Sequence, residues 1–201
     1  MFMQIVLGKV SDAESMRREW DRWMSDLAPG ATGWLGSTGG VTPDGRLLMS
    51  TCFASAEAAA GNARRPERVA WWAGIEECLD APPMIVETED VTLIGVGDIS
   101  RAGFVQAMRA GVRDRAGFEA AESRLGPRFV EHRPDFLAGY RLWSGDTTVV
   151  ALDYFSSEAD ARGGEAKPMP DDLAAGFQEW QSLLVDTEWY DITDPWLRMP
   201  E

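Results

Sequence analysis

The chain alternates short apolar stretches with segments of helical periodicity, in an order that occurs twice. Residues 2–10 (FMQIVLGKV) alternate as a strand that has one face more covered than the other. A helix is predicted from Ser11, because Ser11 and Glu14 have capping-box spacing. Its apolar stripe consists of Met16, Trp20, Trp23 and Leu27. This spacing predicts that both tryptophans belong to the core.

The remainder of the first half predicts a hairpin, an interrupted helix and a last strand. Residues 31–41 and 46–54 form the two strands of the hairpin. A helix is predicted over 55–79, with a break near Pro66 because proline removes a backbone donor. Residues 84–94 supply the fourth strand. The order strand, helix, strand, strand, helix, strand is that of a ferredoxin-like domain.

The second half of the chain repeats the first at a constant spacing. Residues 2–12 (FMQIVLGKVSD) resemble residues 104–114 (FVQAMRAGVRD), and Gln4 matches Gln106 at an offset of 106 − 4 = 102. The sequence therefore predicts a first repeat over 1–95, a linker over 96–103, a second repeat over 104–193 and a C-terminal tail over 194–201.

The duplication can be explained by the need to bury the apolar face of each sheet. A four-stranded sheet with both helices on one face leaves its other face bare, and that face must be covered. The predicted fold class is therefore α+β. We expect two tandem ferredoxin-like (βαββαβ) repeats whose antiparallel sheets face each other in an intrachain pseudo-dimeric α+β barrel.

Composition narrows the classes of partner. A net charge of −14 lacks the basic footprint that nucleic-acid binding requires. The apolar runs are far shorter than the roughly 20 residues of a membrane span, and no signal peptide is visible, so a cytoplasmic protein without a membrane partner is expected. Cys52, Cys78 and the single His132 are too few for a disulfide scaffold, a zinc site or a multi-histidine metal site.

One segment concentrates cationic, amide and indole groups, and it carries a family resemblance. The relevant residues are Phe53-Ala54-Ser55, Asn62, Arg65-Pro66-Glu67 and Trp71-Trp72. Together with the element order and the repeated first strand, they resemble the antibiotic biosynthesis monooxygenase-like (ABM) domains of the dimeric α+β barrel superfamily, here as two fused copies. That group includes cofactor-free quinol or anthrone monooxygenases, haem-degrading enzymes, polyketide cyclases and proteins of no known activity.

The resemblance implies roles for particular residues. In the monooxygenases an asparagine and a tryptophan near the second helix orient substrate and oxygen, which points to Asn62 with Trp71 or Trp72. The haem-degrading members use a histidine on that helix, and this chain has none there. The resemblance therefore implies neither haem nor another cofactor, and no metal.

Each of these residues also has a simpler structural role. Asn62 can cap or turn the chain as well as contact a substrate. Arg65 and Arg68, beside Arg64, can attract an anionic or enolic ligand or pair with nearby glutamates. Trp71 and Trp72 project about 100° apart on a helix, so only one is expected to face a pocket.

The remaining candidates are aromatic or polar residues outside this segment. Trp34 and Tyr140 are predicted to occupy matching positions in the two second strands, where core packing competes with ligand contact. Cys52 and Tyr154 match at the ends of the third strands, and the thiol is reactive only if its pKa is lowered. His132 is either a cation at a helix C terminus or a general base.

The two repeats diverge where chemistry would lie, so we expect the first to hold the site and the second to be scaffold. The predicted function is cofactor-independent oxidation or cyclisation of an aromatic or polyketide-like small molecule by a monomer or homodimer. The predicted catalytic residues are Asn62, Trp72 and Arg65, and the predicted substrate-binding residues are Trp71, Arg68, Trp34, Cys52 and Tyr154.

Two alternatives remain open at this point. One is a non-catalytic ligand-binding or stress-related protein, and the other is an interaction module that oligomerises through its exposed sheet edges. A closed cavity of several hundred Å³ lined by Asn62 and a tryptophan would favour the enzyme. A helix packed flush on the sheet would favour a non-catalytic protein.

Overall fold

The computed structural model describes residues 1–200, which form two compact units. One unit comprises Met1–Val91 together with the segment from Asp194 onward, and the other comprises Thr92–Thr193. The boundary of the first unit thus lies four residues before the 95/96 division drawn from the sequence. Each unit contains one five-stranded sheet.

The elements follow the predicted order in both halves of the chain. In the first half they are β1 (Phe2–Lys9), α1 (Ala13–Arg22), β2 (Trp34–Val41), β3 (Arg46–Phe53), α2 (Ala56–Ala63), α3 (Pro66–Glu77) and β4 (Met84–Thr88). In the second half they are β5 (Val91–Gly95), β6 (Phe104–Val112), α4 (Arg115–His132), β7 (Phe136–Ser144), β8 (Thr148–Phe155), α5 (Glu158–Glu165), α6 (Asp171–Ser182), β9 (Leu184–Ile192) and β10 (Trp196–Arg198). A π-helical turn over Trp23–Leu27 and a 3-10 turn over Ala28–Gly30 extend α1.

The sheet topology confirms the tandem ferredoxin-like fold. The strand order is β10-β2-β3-β1-β4 in the first sheet and β5-β7-β8-β6-β9 in the second. In both sheets the first strand of the repeat pairs antiparallel with the third. Gln4 lies opposite Thr51, and Gln106 lies opposite Asp153, so the 102-residue offset of the sequence holds in the strand register.

Helix starts differ slightly from the prediction. The N-cap of α1 is Asp12 and not Ser11, because the Asp12 carboxylate accepts a hydrogen bond from the backbone N–H of Ser15 at 3.0 Å. Asp114 caps α4 in the same way through the N–H of Gly117. This duplicated cap fixes α1 and α4 at the same 102-residue offset as the strands.

The prediction of one strand over 84–94 is wrong. β4 pairs with β1 in the first sheet, whereas β5 is the edge strand beside β7 in the second. The polar pair Glu89 and Asp90 separates the two strands, and the backbone N–H of Val91 turns back to the carbonyl of Glu89. The predicted linker over 96–103 contains a short 3-10 turn, Ile99–Arg101.

The predicted tail also has regular structure. Within it, β10 pairs antiparallel with β2, with Trp196 opposite Gly39. The Trp196 ring lies 5.7 Å from the ring of Trp20, and Arg17 stacks over it at 5.1 Å. The C-terminal strand therefore contributes to the core of the first unit and covers one edge of its sheet.

The predicted match between Trp34 and Tyr140 is also wrong. Trp34 lies opposite Phe53, and the residue in the same register of the second sheet is Phe136, opposite Phe155. Tyr140 is four residues farther along β7 and faces Leu152. The glycine-aromatic pairs that led to the match are a local coincidence, because hydrogen-bond register decides equivalence in a sheet.

Both helix stripes pack as a hydrophobic layer on one face of their sheet. The predicted stripe of α1 is buried and includes both of its tryptophans. In α4, Phe118 is fully buried, whereas Leu125 and Phe129 are only partly covered. The incomplete cover in the second repeat leaves room beside these two residues.

We expect Trp196→Ala to lower the free energy of unfolding by about 3 kcal/mol or more, because it removes a buried indole from the core. Urea unfolding followed by circular dichroism measures the change. Arg198→Ala, at an exposed position of the same strand, should change the free energy by less than about 0.5 kcal/mol. Equal effects of the two substitutions would show that β10 does not stabilise the first unit.

Candidate functional site

A cavity of about 410 Å³ lies in the first unit, between the sheet and the helices that cover it. Alternate residues of β1 and β3 form its floor, because side chains two apart share one face of a strand. These are Phe2, Gln4, Val6, Met49, Thr51 and Phe53. The alanines of α2 that line the cavity are too small to fill it, and α1 and α3 contribute its aromatic walls. Its size lies within the range typical of small-molecule sites.

Asn62 lies at the end of α2 and is 7% exposed. Its Oδ1 accepts a hydrogen bond from Arg65 Nη1 at 3.1 Å. The same Arg65 nitrogen donates to the carbonyl oxygen of Leu27 at 2.9 Å. Arg65 thus fixes the orientation of the Asn62 side chain through Oδ1. Within residues 1–200 the Asn62 amide NH₂ makes no hydrogen bond. That group remains available to donate to a molecule in the cavity.

Trp71 and Trp72 both line the cavity, so the prediction that only one of them faces a pocket is wrong. Their ring centroids lie 6.1 Å apart with a 54° tilt. Trp71 is buried, and its indole N–H donates to the carbonyl oxygen of Glu19 at 2.7 Å. Trp72 is half-buried and donates to Glu76 at 2.8 Å. Both rings border the cavity although the two side chains project about 100° apart from the helix.

Arg68 is the cation of this cavity. Its guanidinium lies 4.8 Å from the Trp71 ring centroid and 4.9 Å from that of Trp72. Within the described part of the chain it forms no hydrogen bond and no ion pair. Burial lowers the pKa of Arg68 to about 10, against the opposing effect of Glu76 and Glu87, so it remains charged at neutral pH. A half-buried guanidinium held by two rings is a strong attractor for an anion.

Two further polar groups border the cavity and were not predicted. Glu87 of β4 accepts a hydrogen bond from Gln4 at 2.6 Å. Trp23 is 3% exposed, and its indole nitrogen has no hydrogen-bond partner in residues 1–200. Gln4 was not predicted as a site residue either, although the alternation of β1 and the repeated glutamine were signals that could have identified it. The strand pairing that places Glu87 beside it was not visible in the sequence.

Four of the predicted site residues lie outside the cavity. Arg65 holds Asn62 and pairs with Glu67 at 2.8 Å, which is the glutamate pairing considered from the sequence. The indole of Trp34 donates to Ser37 at 3.0 Å. Cys52 alternates with Thr51 and Phe53, so its side chain lies on the other face of the sheet.

Tyr154 belongs to the second unit and is 1% exposed. Its ring makes an edge contact with Tyr140 at 6.1 Å. Like Cys52 in β3, Tyr154 in β8 lies on the face of its own sheet away from the covering helices. His132 is the last residue of α4. Neither residue is among those that line the cavity of the first unit.

The second repeat lacks the features that mark the first cavity. α3 and α6 are both 12 residues long and correspond at an offset of 171 − 66 = 105. At the positions of Asn62, Arg68, Trp71 and Trp72 the second repeat has Gly164, Leu173, Gly176 and Phe177. A Cβ at Gly164 would collide with the guanidinium of Arg133, which occupies the space of the missing amide. The second unit nevertheless has its own cavity, of about 310 Å³.

Within the described residues, no cluster of histidine, cysteine, aspartate and glutamate side chains is arranged to hold a metal ion. Among residues 1–200, no helix has both the length and the hydrophobicity needed to cross a membrane.

Similarity to known proteins is confined to structure. No protein-family model and no curated protein sequence matches the chain. A candidate monooxygenase from Fusobacterium nucleatum subsp. nucleatum has a TM-score of 0.77 and 8% identity, with 98% of this chain and 94% of that chain covered. An anthrone oxidase-like protein has a TM-score of 0.71 and 14% identity over 98% and 92% of the two chains.

A third similar structure has the ferredoxin-like fold in its description. It is a ferredoxin-fold protein from Listeria monocytogenes related to antibiotic biosynthesis monooxygenases, with a TM-score of 0.52 and 10% identity over 100% of this chain and 95% of that chain. At these identities the three structures establish the fold.

Both thiols should be unreactive in the folded protein. Burial raises the pKa of Cys52 to about 11, and burial also raises the pKa of Cys78, so each remains a protonated thiol at pH 7 to 8. We expect a chromogenic disulfide reagent to label neither cysteine in the native protein and both after unfolding. A Cys52→Ala variant assigns the signals. Rapid labelling of native Cys52 would contradict the position that the structure gives it.

Proposed function

We propose that this chain, which has the duplicated ferredoxin-like fold of antibiotic biosynthesis monooxygenase-like structures, binds a flat aromatic substrate in anionic form in its first cavity and promotes its oxidation by O₂. The observation that carries the proposal is Arg68, a half-buried cation without an ion pair in the described residues, held over two indole rings at the wall of the cavity. Fold alone does not imply activity, so the chemistry rests on this site.

The charge and shape of the cavity favour a phenolate or enolate. Arg68 can pair with the negative oxygen, and the amide of Asn62 can donate a hydrogen bond to the ligand. The rings of Trp71 and Trp72 offer faces on which a planar molecule can stack. These contacts stabilise the ionised substrate relative to its neutral form, and the ionised form is the one that reacts with O₂.

The reaction balances without a cofactor. Loss of a proton from an activated CH₂ group gives a carbanion conjugated with the substrate oxygen. This anion transfers an electron to O₂, and the resulting radical pair joins to form a peroxide at that carbon. Protonation of the peroxide and loss of water leave a carbonyl, so one oxygen atom enters the product and the other becomes water. An anthrone, whose central CH₂ becomes the carbonyl of a quinone, fits this chemistry, in agreement with the name of the anthrone oxidase-like neighbour.

The protein's contribution is positioning and charge stabilisation. Arg65 holds Asn62 in place through its contact with Oδ1, so Arg65 is a positioning residue. In this proposal Glu87, which is hydrogen-bonded to Gln4 and lines the cavity, accepts the substrate proton.

We expect Arg68→Gln to lower kcat/KM for oxidation of anthrone to anthraquinone by about 100-fold, because the developing anion loses its charged partner. Oxygen uptake and the absorbance of the quinone measure the rate, after subtraction of autoxidation in buffer. The matched control is Arg64→Gln, which removes an exposed guanidinium four residues away that does not line the cavity.

Three results would contradict the proposal. Equal rates for Arg68→Gln and Arg64→Gln would remove Arg68 from the site. Binding of anthrone to the wild-type chain without enzyme-dependent oxygen uptake would leave a ligand-binding protein and exclude the oxygenase. No binding of anthrone or of 1-naphtholate would exclude an anionic aromatic ligand in this cavity.

A further inference from the structure

The second cavity differs from the first at one helix-strand contact, where three neutral residues are replaced by three charged ones. Glu122, Arg141 and Asp153 occupy the positions of Trp20, Gly39 and Thr51, each at the offset of 102. In the first repeat the indole of Trp20 lies directly on Gly39, so closely that a Cβ there would be 2.6 Å from the ring. In the second repeat the same helix-strand contact is an ion pair between Glu122 and Arg141.

This charged cluster is compact and mostly buried. Arg141 Nε donates to Glu122 Oε1 at 2.6 Å, and Arg141 Nη1 donates to Asp153 Oδ1 at 2.7 Å. The three side chains are 12%, 16% and 21% exposed for Arg141, Glu122 and Asp153. Removing such charges from water costs free energy, and hydrophobic replacements are often more stable. The cluster therefore carries a desolvation penalty, which the contact between Trp20 and Gly39 in the first repeat avoids.

The cluster lies on the wall of the cavity and is not electrically neutral. Two carboxylates face one guanidinium, so the fully ionised cluster carries one excess negative charge. Burial raises the pKa of Glu122, although Arg141 opposes the rise, because the excess negative charge is poorly solvated there. The second guanidinium at the cavity, that of Arg133, is already paired with Asp135 at 2.7 Å. Glu165 also lines the cavity, but its carboxylate is paired with Arg162 at 3.3 Å.

Six aromatic side chains contribute to the wall, beside the aliphatic residues Ile94, Leu125, Met169 and Leu173. The aromatic residues are Phe129, Phe136, Phe155, Phe177, Trp180 and Trp189. Ring faces attract cations through their quadrupole, and an aromatic cage with carboxylates is the arrangement that recognises ammonium groups. Trp180 is 8% exposed, and its indole N–H has no partner among residues 1–200.

We infer that the second repeat holds a separate binding site for an aromatic amine in its protonated form, whose ammonium group binds beside Glu122 and Asp153. The two cavities then have opposite preferences: the first contributes an unpaired guanidinium and takes an anion, and the second contributes an excess carboxylate and takes a cation. The second repeat is a ligand site in its own right, in contrast to the scaffold role expected from the sequence. This inference does not depend on the oxygenase proposal, because it concerns other residues and another ligand.

Three probes with one aromatic body test the charge preference. They are 2-(4-methoxyphenyl)ethylamine, 2-(4-methoxyphenyl)ethanol and 3-(4-methoxyphenyl)propanoate, which are cationic, neutral and anionic at pH 7. In saturation-transfer NMR titrations of the full chain, we expect saturable binding of the amine at least about tenfold tighter than of the propanoate at this site. Equal or tighter binding of the propanoate, in a component that Gly126→Leu removes and Gly61→Leu does not, would overturn the inference.

Two variants locate the binding. The triple variant Glu122→Trp, Arg141→Gly, Asp153→Thr installs the residues of the first repeat and should abolish the preference for the amine. Gly126→Leu fills the cavity instead, since Gly126 lines it and a Cβ there meets no atom within 4 Å. It leaves the charges in place and should still prevent binding. The matched control Gly61→Leu, at a helical glycine of the first repeat with equally open space, should bind the amine as the wild type does.

The outcomes separate cleanly. Loss of amine binding in Gly126→Leu but not in Gly61→Leu supports the site even if the triple variant fails to fold, which circular dichroism will show. Unchanged amine binding in a folded Gly126→Leu protein would place the amine elsewhere and overturn the inference.

Discussion

The structure depends on the packing of helices against one face of each sheet. The central strands β1 and β6 present every second side chain to that layer, and the helices cover it with large aromatic residues. Where the helical residues are small, as in the alanines of α2, the layer does not close and a cavity remains. The cavity is thus a product of the same alternation that builds the core, and its chemistry is set by the few polar residues within that pattern.

Duplication allowed this layer to change in one copy while the sheet register was retained. The contact between α1 and β2 is an indole on a glycine, and the corresponding contact between α4 and β7 is a glutamate on an arginine. Both contacts occupy corresponding positions in the strand register, at the offset of 102. The electrostatic result differs: among residues 1–200 Arg68 of the first cavity has no ion-pair partner, whereas at the second cavity two carboxylates share the guanidinium of Arg141. Retained pairs, such as Gln4 with Glu87 and Gln106 with Asp191, show how closely the frames correspond.

The candidate site was only partly predictable. Asn62, Arg68, Trp71 and Trp72 come together because they are close in sequence, on two consecutive helices, so local patterns sufficed. Cys52 was wrongly predicted to contact the substrate. Neighbouring residues of a strand point to opposite faces of the sheet, and the sequence does not determine which face Cys52 takes. Glu87 was missed because its contact with Gln4 joins strands 83 residues apart in the chain.

The sequence alone determined the order of strands and helices, the 102-residue repeat and the tandem ferredoxin-like fold, because periodicity and helix caps are local and the duplication states each pattern twice. The tertiary structure decided which fifth strand each sheet receives, which residues line the cavities and which charges are paired. Those outcomes depend on contacts between residues far apart in sequence, where β10 pairs with β2 and Arg141 meets both Glu122 and Asp153. Their energies come from burial and register, which no local pattern specifies.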